Sequence, residues 1–285
     1  MTKINAYFRL MRFDKPIGIF LLLWPTLWSL WLVEKEAPGL NMFLIFVLGV
    51  VVMRSAGCVI NDIVDKDIDP SVERTKTRPL ATKTVTEGEA YFLLLLLLSI
   101  ALVLVLQLNL SSFLWALGGL LITVLYPFCK RFIAAPQLIL GIAFSWSIPM
   151  VYAANNLALN TEICLLWLSV GLWILMYDTF YAMADKEDDL KIGINSTAIL
   201  FGEKVAIITS FLQSFVVILW VIIGLLFELS LIYFSSLIIV FCLFVKQQLL
   251  IRSGDPNQCL KAFLENNYVG FVVFLGVFLD LLLIK

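Results

Sequence analysis

Two acidic segments interrupt a chain that is otherwise strongly apolar. The first carries Asn61, Asp62, Asp65, Asp67 and Asp69; the second carries Asp185, Glu187, Asp188 and Asp189, with Asp178 upstream. Carboxylates beside a bilayer are costly to desolvate and mark places where something is bound or moved. At about 100° per residue, Asn61, Asp62, Asp65 and Asp69 share one face of a continuous helix, with Asp67 turned away. Asp178, Tyr181, Asp185 and Asp189 align in the same way. Four or more carboxylates around one cavity repel each other unless cations stand between them. Oxygen ligands without His or paired Cys favour Mg²⁺ over zinc, and Mg²⁺ joins one or two carboxylates to substrate phosphates. The chemistry these segments suggest is therefore a diphosphate carried on Mg²⁺. The alternative is a pair of solvated helix ends.

Basic side chains stand near both segments. Arg74, Lys76 and Arg78 follow the first, Tyr126 and Lys130 end an apolar stretch, and Lys191 follows the second. Arg and Lys are the expected clamps on phosphate oxygens, which makes Arg74, Arg78, Tyr126, Lys130 and Lys191 candidates to hold a diphosphate. Tyr126 reads equally as an interfacial aromatic. Lys76, Lys83, Lys204 and Lys261 read as membrane anchors. Arg54 lies deep in the apolar run that leads to Asn61, about 10 Å of helix away. It either pairs internally with Asp62 or Asp65 or holds an acidic second substrate.

The elements that must position these groups are membrane helices. The chain has 285 residues, 61% hydrophobic and only 14% charged, against about 25% charged for a soluble domain. A net charge of −1 excludes the basic face that nucleic-acid binding requires. There is no histidine, so neither the commonest general base nor the commonest transition-metal ligand is present. The five cysteines form no CxxC pair and read as small apolar packing residues.

A span needs about 20 mostly apolar residues. Nine stretches qualify: 17–33, 42–60, 89–107, 112–128, 137–154, 162–183, 205–226, 229–246 and 263–284. This is an all-α, polytopic membrane protein, read as one unit over 1–285. The first stretch has no small-residue cleavage site after it and reads as a retained helix rather than a signal peptide. With the N-terminus on the cytoplasmic side, every Lys and Arg falls inside except Lys35, Lys285 and the intrahelical Arg54. That asymmetry predicts an N-in, C-out orientation, with both acidic segments cytoplasmic. Their similar settings, each after an even-numbered span, suggest two related half-bundles facing one cavity. A cation-coupled transporter is a rival reading, because intramembrane carboxylates also mark ion pathways.

The pattern Asn61-Asp62-x-x-Asp65-x-x-x-Asp69 resembles the first Asp-rich motif of the UbiA superfamily of intramembrane aromatic prenyltransferases, and Asp185 with Asp189 resembles the second. Further segments fit: Arg12-Phe-Asp-Lys-Pro-Ile-Gly18, Arg54-Ser-Ala-Gly-Cys58, Thr77-Arg-Pro-Leu80, Leu125-Tyr-Pro-Phe-Cys-Lys-Arg131, and Tyr177-Asp-Thr-Phe-Tyr-Ala-Met-Ala-Asp185 continuing to Gly202. The match runs from Arg9 to Gly202 and is most similar to the bacterial branch that prenylates 4-hydroxybenzoate in ubiquinone synthesis.

That resemblance implies about nine helices around a central cavity open laterally to lipid, in a bacterial inner membrane, with polyprenyl diphosphate and 4-hydroxybenzoate as substrates and no obligate protein partner. It implies Asp65, Asp69, Asp185 and Asp189 as the catalytic Mg²⁺ carboxylates, with Asn61 and Asp62 beside them. Arg74, Arg78, Lys130 and Tyr126 would hold the diphosphate, and Arg54 and Asn61 would face the hydroxybenzoate. The allylic C–O bond would break in a water-poor site, and the ring carbon ortho to the hydroxyl would attack. Siblings using dihydroxynaphthoate or homogentisate share the motifs and remain the nearest alternatives.

Overall fold

A computed structural model describes residues 2–129 and 131–284, with side chains through Leu283. Among the described residues all regular structure is helical. In chain order the helices are α1 (Lys3–Leu10), α2 (Ile17–Glu34), α3 (Leu40–Val64), α4 (Glu87–Val105), α5 (Leu110–Cys129), α6 (Pro136–Ser145), α7 (Ser147–Ala154), α8 (Thr161–Ile192), α9 (Thr197–Phe201), α10 (Val205–Leu226), α11 (Leu231–Ile251) and α12 (Pro256–Ile284). Nine segments of the described chain are long and apolar enough to cross a membrane; α6 with α7 makes one, and α9 with α10 makes another. The chain is a multi-pass membrane protein.

Local chemistry sets the ends that matter. Thr86 and Glu89 form a capping box at the start of α4, with the Glu89 carboxylate accepting from the Thr86 N–H at 2.7 Å. This satisfies two orphan donors and fixes where the loop after the first acidic segment must end. Asn160 caps α8 by accepting from the Ile163 N–H at 3.0 Å, and Gly193, with φ +71°, closes its far end. Glycine takes that left-handed conformation without a Cβ clash. At 32 residues, α8 is about 48 Å long, well beyond the roughly 30 Å of a hydrocarbon core. It is long enough to carry its polar last turns, from Asp185 on, beyond that core.

Of the boundaries that differ from those expected, three bear on the site and its frame. The helix of 162–183 runs on to Ile192, and the helix of 263–284 begins at Pro256. Hydropathy falls where polar turns begin, but backbone hydrogen bonding continues. The third difference concerns the first acidic segment. Its helix stops at Val64, and Asp69 opens a separate 3-10 turn, Asp69–Ser71. One continuous helical face from Asn61 to Asp69 is therefore not what holds these residues together.

The core is asymmetric. Most of the large buried cluster comes from α2, α7, α8, α10, α11 and α12. At its centre Trp28, Trp173 and Trp220 pack ring to ring, with centroids 5.3–5.9 Å apart. Each indole N–H is satisfied: Trp28 donates to the Gly270 carbonyl, Trp173 to Asn266 and Trp220 to Ser169. Buried Trp needs such a partner, so this trio stitches α2, α8, α10 and α12 in one register. A smaller cluster joins α1, α3, α4 and the connecting loop through Ala6, Leu10, Ala56, Val59, Leu80 and Val85. By contrast, α4 and α5 are only 11% buried and offer their apolar faces to lipid.

Candidate active site

The last turn of α3 supplies Asn61 and Asp62, and Asp65 is its C-cap residue, donating its N–H to the Asn61 carbonyl at 2.9 Å. The chain then folds back: the N–H groups of Ile68 and Asp69 both reach the Asp65 carbonyl, and Thr75 donates its hydroxyl to the Asp69 carbonyl. This knot returns Asp69 to the side occupied by Asp62 and Asp65. All three are buried, at 0%, 6% and 3% exposure for Asp62, Asp65 and Asp69.

Buried carboxylates need counter-charges, and arginines provide them. Arg12 donates to Asp62 Oδ1 at 2.6 Å. Arg78 Nη1 lies 3.2 Å from the same oxygen and 2.9 Å from each oxygen of Asp69. Burial raises the Asp69 carboxyl above its ordinary range; Arg78 opposes that, and the neighbouring Asp62 and Asp65 reinforce it. Among the described residues, the buried Asp62 Oδ2 has no hydrogen-bond partner.

The second segment sits on the last turns of α8. Asp185 receives a two-pronged contact from Arg74, Nε to Oδ1 at 2.9 Å and Nη2 to Oδ2 at 2.6 Å. The Arg74 guanidinium also lies over the Tyr181 ring, 4.5 Å from its centroid. Arg74 belongs to the loop just after Asp69, so this contact joins the two acidic segments across 111 positions of sequence. Burial weakens the Arg74 charge, but Tyr181, Asp185 and Asp69 all raise its pKa above the ordinary value. Tyr126 lies near the end of α5 and packs against the large apolar cluster.

Below this layer Arg54 points inward. Its Nη1 contacts the Cys58 thiol at 2.9 Å, its guanidinium lies 5.3 Å from the centroid of the Phe144 ring, and its buried Nε has no hydrogen-bond partner among the described residues. Asp62 spends its contacts on Arg12 and Arg78 instead, so Arg54 is not its ion-pair partner among the described residues. Gly18 makes room for Arg54: a Cβ there would collide with the guanidinium.

Among the described residues, no group of three or more Asp, Glu, His or Cys side chains gathers closely enough to cage a metal alone. The donors are carboxylate oxygens separated by arginines, and one of them, Asp62 Oδ2, is orphaned. That suits a hard cation taking few protein ligands and completing its shell from phosphate and water. The residues present fit Mg²⁺.

Residues 22–275 match the model of the UbiA prenyltransferase family. The chain belongs to that family. It is 51% identical over 278 residues to a 4-hydroxybenzoate octaprenyltransferase of Saccharophagus degradans, covering 98% of this chain and 93% of that one. It is 50% identical over 280 residues to the 4-hydroxybenzoate octaprenyltransferase of Psychromonas ingrahamii, covering 98% of both. Among solved structures it resembles a UbiA homologue from Aeropyrum pernix, with TM-score 0.78, 24% identity and 98% and 99% of the two chains covered. A UbiA homologue from Archaeoglobus fulgidus, determined with GPP and Mg²⁺, gives TM-score 0.70 at 20% identity, covering 96% and 99%. Membership of the UbiA family makes the chain a prenyltransferase and sets the transporter reading aside.

Within this UbiA fold the expected site residues do not stand alike. Asp62, Asp65, Asp69, Asp185, Arg74 and Arg78 lie in the two joined segments described above. Asn61 shares the last turn of α3, and Asp189 follows Asp185 by one turn of α8. Lys191 is 69% exposed and pairs with Asp188 at 3.1 Å, on the outer side of α8. Lys130 lies outside the described residues. Residue type and spacing alone give no site role to Arg12, Gly18, Phe144 or Tyr181. Arg12 and Gly18 lie in a segment singled out for its resemblance alone; nothing in sequence spacing shows that they meet α3.

Proposed function

We propose that this chain transfers a polyprenyl group from polyprenyl diphosphate to the carbon ortho to the hydroxyl of 4-hydroxybenzoate, with Mg²⁺, in ubiquinone biosynthesis. The observation that carries the reaction class is the Arg74 bridge, which brings two remote carboxylate segments and their arginines to one place. The choice of acceptor rests on relatives of about half identity over nearly the whole chain.

In this reading residues 1–285 act as one catalytic unit in a bacterial inner membrane. The N-terminus and the site face the cytoplasm and the C-terminus lies outside. Asp65, Asp69, Asp185 and Asp189 would hold Mg²⁺, with Asn61 and Asp62 beside them. Bound there, Mg²⁺ supplies the positive charge that steadies the departing diphosphate. Arg74, Arg78, Tyr126 and Lys130 hold the diphosphate oxygens, so charge is met as it develops on the leaving group. Arg54 and Asn61 orient the hydroxybenzoate, the buried Arg54 guanidinium supplying the charge that its carboxylate requires. Apolar walls keep water from the allylic carbon, where it would capture the cation. The proton on the attacked ring carbon leaves to Asp185, Asp189 or the freed diphosphate. Lys191, exposed and paired with Asp188, has the weakest case among the proposed diphosphate ligands.

The test is to incubate membranes carrying the protein with 4-hydroxybenzoate, a polyprenyl diphosphate and Mg²⁺, and to analyse the lipid extract by mass. The expected product is 3-polyprenyl-4-hydroxybenzoate. Product from dihydroxynaphthoate or homogentisate alone would move the chain to a sibling acceptor, and full turnover in excess EDTA would overturn the metal scheme.

A further inference from the structure

Arg12 is bound into the site more tightly than an anchoring arginine requires. Its Nη2 meets Asp62 Oδ1 at 2.6 Å, while its Nη1 donates to the carbonyls of Arg9 and Leu10 at 2.8 and 3.3 Å. The guanidinium thus spans the C-terminal end of α1 and a carboxylate with 0% exposure. Its backbone is left-handed, φ +63°, a conformation uncommon outside glycine. Here it closes α1: the Arg12 N–H reaches the Arg9 carbonyl and the Phe13 N–H the Phe8 carbonyl, the usual left-handed end of a helix, and it leaves the Arg12 side chain beside Asp62. The helix before it is docked independently: Lys3 and Tyr7 both bind Glu89 of α4, and Ala6 and Leu10 are buried against α3 and α4.

The charges in this corner are matched. Asp62 and Asp69 face Arg12 and Arg78. Arg12 and Arg78 crowd onto one oxygen of Asp62, leaving Oδ2 buried and, among the described residues, unpartnered. Without Arg12, Asp62 would draw Arg78 away from Asp69, and the orphaned oxygen would be free to turn toward it.

We infer that Arg12 is a positioning residue of the metal–diphosphate site: by saturating Asp62 Oδ1 it presents Oδ2 as a ligand and keeps Arg78 on Asp69. This rests on the proposed function. It adds that the segment between α1 and α2, outside both acidic motifs, sets metal affinity.

The test uses the full-length protein in detergent and follows Mn²⁺ binding by loss of the free-ion EPR signal, without substrates. Arg12→Gly removes the guanidinium and relieves the left-handed backbone, so the fold loses no backbone fit. It is expected to weaken Mn²⁺ binding about tenfold or more, the usual effect of removing a group that orients a ligand. The Mg²⁺ concentration for half-maximal turnover should rise in parallel, with KM for hydroxybenzoate unchanged. Arg12→Lys restores a cation to Asp62 and should recover most of the affinity. Lys3→Ala, which loosens α1 without touching Asp62, should bind Mn²⁺ like wild type. Wild-type Mn²⁺ affinity in Arg12→Gly would overturn the inference, as would an Arg12→Lys protein that binds no better than Arg12→Gly. Loss of affinity in Lys3→Ala equal to that in Arg12→Gly would assign the effect to helix docking and also overturn it. If the wild-type protein binds no Mn²⁺, the underlying metal reading fails instead.

Discussion

The two acidic segments carry similar residues in opposite settings. The first lies in a knotted loop, buried, with Arg12 and Arg78 packed against it. The second stands on a single extended helix, partly exposed, and Asp185 meets Arg74. Fold and site coincide in the first segment, because a buried carboxylate stripped of its partner destabilises the whole neighbourhood. In the second, α8 is held by the tryptophan trio far below, so its carboxylates can change without loosening the bundle.

That contrast can be broken in several ways. The largest effect is expected from the carboxylates: Asp185→Ala and Asp65→Ala should each reduce product formation by more than about 10³-fold, measured as lipid product per inserted protein. Substantial residual turnover in either would remove that residue from the metal set. Stability should separate the segments. Asp62→Ala leaves Arg12 and Arg78 facing each other with less counter-charge and should cost about 3 kcal/mol. Asp185→Ala, which breaks a two-pronged pair with Arg74 that is not fully enclosed, should cost less, about 1.5 kcal/mol. Thermal unfolding in one detergent compares them, and equal losses would erase the distinction.

A third effect belongs to the deeper layer. Arg54→Ala removes a charge-assisted contact worth about 1.5–3 kcal/mol, so KM for hydroxybenzoate should rise about 10- to 100-fold with KM for the prenyl donor little changed. Gly18→Ala should shift the same constant in the same direction by displacing the guanidinium; equal loss for both substrates would make Arg54 structural. The smallest effect is expected from Lys191→Ala, within about twofold, because exposed pairs contribute little. A larger loss of donor affinity would restore Lys191 to the diphosphate site.

The spans were legible because each needs a long apolar run, and composition reports that directly. The spacing of Asp185 and Asp189 on one face of α8 was legible too, since the helix continues through them. The reach of Asp69 was not: spacing assumed a continuous helix, whereas the backbone bonds from Ile68 and Asp69 to the Asp65 carbonyl end the helix and turn the chain back. Arg12 was visible as a cytoplasmic-side cation in a segment that resembles the family, but not as the partner of Asp62, because an ion pair across 50 positions leaves no periodic trace.

The amino-acid order alone dictated a multi-span helical protein with two sets of hard oxygen ligands and nearby cations, since hydropathy and helical spacing are local properties. Which arginine neutralises which carboxylate was settled only when α1, α3, the loop after it and α8 packed together. Burial at that junction makes every unpaired charge costly, and only the folded arrangement decides which partner is within reach.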